Sequence, residues 1–71
     1  MTEKDKVLAE KIKEIEDVLK INGLEKYLIS ITYLEGEERG NTHMGYSGGV
    51  GDIFQMAMRS NSVLTANLDK D

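Results

Sequence analysis

Residues 27–46, YLISITYLEGEERGNTHMGY, decide the fold. The first eight are mostly β-branched, aromatic or aliphatic, a composition that suits a pleated, half-buried backbone. Side chains alternate along a strand, so Tyr27, Ile29, Ile31 and Tyr33 point one way and Leu28, Ser30, Thr32 and Leu34 the other. The first set is the better candidate for the face against a helix. Glu35-Gly36-Glu37-Glu38-Arg39-Gly40 is too polar and too glycine-bearing to be buried, and it reads as a hairpin turn. A second strand over about 41–46 completes the hairpin. His43 sits on it with no partner in reach by sequence, and is expected to be an exposed strand residue.

Upstream, Leu8, Ile12, Ile15 and Leu19 recur at helical spacing and form one stripe, widened to one side by Val7, Val18 and Ile21. Thr2 and Asp5 look like a weakened capping box at its start. Asn22-Gly23 marks its end, because glycine takes the left-handed conformation without a Cβ clash. The spacing predicts a helix over about 3–22. Downstream, Asp52 is a candidate N-cap, and Ile53, Met56, Ala57, Ser60 and Leu64 share a face. A second helix is expected over about 53–60. Beyond it the tail has two readings: one helix continuing to about 68, or a break at Arg59-Ser60-Asn61-Ser62 with Ser62 capping a separate last turn. The order α-β-β-α, an antiparallel hairpin packed on a long first helix and a shorter second one, makes an α+β fold. No linker divides the chain, so residues 1–71 are expected to be one small domain.

Between hairpin and second helix lies GYSGGVGD, residues 45–52. Gly45-Tyr46-Ser47-Gly48-Gly49 fits the G-x-S-x-G pattern of a serine nucleophile. That pattern belongs to a multistranded parallel sheet, which a chain of this length cannot build, and nothing aims the lone histidine at Ser47. A second reading takes Gly48, Gly49 and Gly51 as an anion cradle at a helix start, for phosphate or a nucleotide. The loop lacks a P-loop ending, has no lysine or arginine between Arg39 and Arg59, and carries the Asp52 carboxylate on the amides an anion would need. The third reading is a joint: glycines let the chain reverse so that the second helix lies back on the hairpin. The joint accounts for every residue without a ligand and is preferred.

The chain has 71 residues, no cysteine, one histidine and a net charge of −4. Disulfides and thiolate metal sites are excluded, and one histidine cannot make a zinc site. The acidic turn Glu35, Glu37 and Glu38 lacks the order of a calcium loop. No metal or cofactor is expected. The charge argues against a nucleic-acid partner, which would call for a clustered basic face. No apolar run is long enough to span a bilayer, and MTEKDK does not read as a secretory signal, so a soluble, cytoplasmic, non-catalytic protein is expected. A chain this short has a thin core and usually needs a staple. Association is the staple left. Phe54 and Met58 lie one turn apart, off the expected core face, and with Val18 and Ile21 they are the expected partner-binding anchors. A homo-oligomer, with a dimer favoured, is the expected state, alongside a protein partner of unidentified kind.

Overall fold

In the computed structural model, which describes residues 2–70, four elements follow in the expected order. They are α1 (Glu3–Ile21), β1 (Tyr27–Leu34), β2 (Gly40–Ser47) and α2 (Val50–Leu68). The strands pair antiparallel from Tyr27 opposite Ser47 to Leu34 opposite Gly40. The fold is α+β, with both helices contacting the hairpin.

Local chemistry fixes the ends of α1. The Thr2 hydroxyl accepts from the Asp5 amide at 3.2 Å and donates to the Asp5 carboxylate at 2.7 Å. At the other end Gly23 takes φ 78°. Its N–H donates to the Lys20 carbonyl and the Leu24 N–H to the Leu19 carbonyl, a Schellman closure that satisfies two terminal carbonyls. The turn between the strands is closed by the Glu35 N–H donating to the Arg39 carbonyl at 2.7 Å, with Gly36 at φ 84°.

Alternation along β1 is as expected except at Leu28, which is half-buried on the opposite face. Tyr27 is buried, and Ile29, Ile31 and Tyr33 are half-buried; Ser30, Thr32 and Leu34 are exposed. The helix stripe is rotated from the apolar reading. Ile12 is buried and Leu8 and Leu19 half-buried, but Ile15 is largely exposed, while Asp5 and Glu16 turn inward. Two tyrosines explain the rotation. Tyr27 donates its hydroxyl hydrogen to Glu16 at 2.7 Å and Tyr33 donates to Asp5 at 2.8 Å. These bonds anchor α1 at both ends of β1, with Ile12 between.

Beneath Ile12 the hairpin has a gap in its side chains at Gly45. A Cβ there would stand 2.6 Å from Ile12 Cγ2 and 2.6 Å from Glu16 Oε1. Glycine is needed here for close approach. Gly45→Ala is therefore expected to cost about 1–3 kcal/mol, since α1 must lift or Ile12 leave its rotamer. Urea unfolding checks this; a midpoint equal to that of the unaltered chain would show that the helix has slack.

The second helix departs from expectation in three ways. It begins at Val50 with Gly49 as N-cap, so Asp52 is not the cap but a first-turn acid, ion-paired with Lys26 at 3.2 Å. Gly48, at φ 129°, lets the chain reverse three residues sooner than a capping Asp52 would require. The helix runs unbroken to Leu68, the continuous one of the two readings of the tail, so at 19 residues it equals α1 and is not the shorter helix expected. Ser62 caps nothing, because the small polar run 60–62 costs only a few tenths of a kcal/mol per residue and does not outweigh continuous backbone bonding. Finally, only Ile53, Met56 and Asp52 are half-buried, whereas Ala57, Ser60 and Leu64, expected in the core, are exposed. The helix touches the hairpin through its first two turns, and everything beyond Met56 stands clear.

Candidate functional site

Two sets of residues stand out: a closed polar cluster at the start of α1, and the apolar surface left uncovered.

The cluster centres on Asp5, 7% exposed. Its Oδ1 accepts from Tyr33 Oη at 2.8 Å, Asn41 Nδ2 at 3.0 Å and His43 Nε2 at 2.7 Å, while Oδ2 accepts from Thr2. A carboxylate can only accept, so His43 carries its hydrogen on Nε2. The imidazole also stacks on Tyr33, with ring centroids 6.4 Å apart and planes 10° apart. His43 is thus not the exposed strand residue the sequence suggests. The pairing of Tyr33 with Asn41 and Ile31 with His43 brings three donors to one face, and the helix cap delivers the acceptor. The signal that could have found this was strand parity: Asn41 and His43 share the face of Tyr33.

The hydrogen bond from Thr2, followed by those from Tyr33 and His43, holds the Asp5 carboxyl well below the usual carboxylate range, against the opposing effect of burial. The same bond, together with burial, pushes the Tyr33 hydroxyl up, and the bond to Glu16 does the same for Tyr27. The contribution of these tyrosines is present below their unfolded values, about pH 10, and lost as pH rises through the folded ones. Among the described residues no buried side-chain nitrogen or oxygen is left without a partner. The cluster ties the start of the helix to both strands of the hairpin.

Ser47 lies at the opposite end of the strand from this cluster, paired with Tyr27. Four residues of extended chain, about 13 Å, separate it from His43. Gly48, Gly49 and Gly51 surround the start of α2 as expected, but the Asp52 carboxylate lies over them: Oδ2 is 3.5 Å from where a Gly49 Cβ would be. Among the described residues no group of three or more potential ligands is placed to hold a metal ion.

The uncovered apolar surface is large. Phe54 is 67% exposed, Met58 70%, Val18 57% and Ile21 83%. Phe54 and Met58 continue a line from Val50 along α2, while Val18, Ile21 and Leu24 cluster at the end of α1; all of these are exposed. A shallow groove of about 550 Å³ opens between α1 and β1, floored by Val7, Leu8, Ile31 and Leu34. Among the described residues, Ile12 and Tyr27 are the only buried hydrophobic side chains. Among the described residues no helix is long and apolar enough to cross a membrane.

Comparison with known proteins finds no family model, no curated relative and no solved structure that matches this chain.

Proposed function

We propose that this chain is a small, non-catalytic interaction module that self-associates as a dimer, with Phe54 and Met58 on α2 and Val18 and Ile21 on α1 as its anchors. The observation that carries this reading is surface area. The chain exposes 5972 Å², whereas a compact protein of its mass exposes about 4,500 Å². The surplus, roughly 1,500 Å² per chain, exceeds the ~800 Å² that each partner of an ordinary stable complex loses, and matches the obligate class. The radius of gyration agrees: 14.0 Å, against about 11 Å for a compact chain of this length. Large apolar side chains are among the exposed residues, Val50, Phe54, Met58, Leu64 and Leu68 on α2 alone, and contiguous exposed apolar area marks contact surfaces.

A protein partner beyond the second copy is part of the same reading. The end of α1, at Val18 and Ile21, is an exposed apolar patch on a different helix from Phe54 and Met58. The polar side chains gathered around Asp5 hold helix to hairpin, a structural task that supports a binding role for the apolar faces.

Sedimentation equilibrium over a wide concentration range tests the proposal. A dimer at micromolar concentration is expected. Phe54→Asp, at an exposed position that leaves the hairpin contacts intact, weakens the association roughly 100-fold or more. A folded monomer throughout, shown by an unchanged circular dichroism spectrum, overturns it.

A further inference from the structure

The bare side of α2 has an internal order. Val50, Phe54, Ala57, Asn61, Leu64 and Leu68 follow one another at steps of four, three, four, three and four, a seam running the whole helix. All six are exposed. The residues that touch the hairpin, Ile53 and Met56, lie to one side of this seam, and Gln55, Arg59 and Ser62 lie opposite it. Bulky side chains hold both ends, and small ones, Ala57 and Asn61, hold the middle. The spacing reads the same from either direction, with its centre at the level of residue 59.

We propose that a second copy of this chain covers the seam with its own α2, running antiparallel about a two-fold axis near residue 59. This rests on the self-association proposed above and names its contact. Phe54 then meets Leu64 of the second copy, Val50 meets Leu68, and Ala57 meets Asn61. The small centre lets the helix axes approach to roughly 8 Å.

Four observations select this occupant and this direction. The surplus surface of each chain is of the size an obligate dimer buries, and the seam is its longest continuous part. A two-fold contact must be self-complementary, and a seam symmetric about its own centre meets that condition. The only charged residues in α2 are Asp52 and Arg59, both off the seam, so no like charges oppose pairing of identical helices. Last, α2 is bare beyond Met56. Reversed pairing sets each overhanging half beside the other copy's hairpin. A parallel pair would leave both overhangs projecting together, stack Phe54 on Phe54 and leave a gap where Ala57 faces Ala57. Antiparallel helix dipoles add a small favourable contribution.

The chain has no cysteine, so introduced thiols report without interference. Two single variants, Ala57→Cys and Asn61→Cys, replace small exposed residues and are oxidised separately and as a mixture, with sedimentation equilibrium run on each. In the proposed pair, position 57 faces 61 of the other copy, while two residues 57 are offset by four positions, about 6 Å along the axis, beyond disulfide reach once the gap between helices is added. The expected result is a disulfide-linked dimer in the mixture, at least tenfold more abundant than in either variant alone. Efficient linkage within each variant alone overturns the antiparallel direction. A dimer in the centrifuge with no linkage in any sample places the contact elsewhere and overturns the seam while self-association stands. A folded monomer of the unaltered chain overturns both.

Discussion

Replacing Asp5 with alanine lowers the thermal midpoint by roughly 10 °C or more, the largest loss expected from any single polar substitution in this chain. The size follows from what the carboxylate does. One oxygen gathers the hydrogens of Tyr33, Asn41 and His43, and the other takes that of Thr2, so one side chain joins the helix start to both strands. Deleting it leaves two half-buried donors, Tyr33 and His43, without an acceptor, and an unmet donor costs more than a made bond returns. The same carboxylate makes the chain acid-sensitive. Its folded pKa is depressed, so as pH falls below about 4 the unfolded chain takes up the proton first. The contribution is complete above the unfolded value and is lost as pH drops toward the folded one. Thermal melts at neutral pH and near pH 2 check both parts. The unaltered chain loses more on acidification than Asp5→Ala does, because the variant has already forfeited the bonds that protonation removes. Equal losses in the two proteins would place acid sensitivity elsewhere.

Ile12→Ala costs about 3 kcal/mol, within the 2–5 range for a buried aliphatic cut back to Cβ. Ile12 is the one buried aliphatic side chain among the described residues, and a chain of 71 residues holds only about 4–10 kcal/mol in all. The cavity sits over Gly45, a position with no side chain to collapse into it. Denaturant unfolding measures the loss. The contrasting substitution, Ile15→Ala, sits one turn away on the same sequence stripe but is 43% exposed, and costs about half as much. Equal costs would show that burial does not rank these positions.

That contrast between Ile12 and Ile15 shows where the sequence is legible. The hairpin can be read because its alternation has a period of two and its turn is marked by glycine and charge. The ends of α1 can be read because Thr2 and Gly23 act on their own neighbours. The rotation of α1 cannot, since it is set by hydroxyl-to-carboxylate bonds spanning 11 and 28 residues, and a hydrophobic stripe carries no record of them. His43 reads wrongly as exposed for the same reason: its partner is 38 residues away. On α2 the apolar residues cover so wide an arc that periodicity alone does not say which part meets the hairpin. Ala57, Ser60 and Leu64 therefore read as inward-facing, when the contact lies at Ile53 and Met56. Phe54 and Met58 read correctly as lying off that contact, because they point a quarter of a turn or more away from it.

The bare backbone at Gly45 gives the hairpin a means of rejecting mispaired forms. Sliding one strand past the other by a single residue would turn every side chain to the opposite face and bring Met44 or Tyr46 under Ile12. Neither fits where even a methyl group collides, so α1 can close only over the correctly matched ladder. Docking of the helix thereby acts as a proofreading step, selecting one alignment from several that the polar turn alone would tolerate.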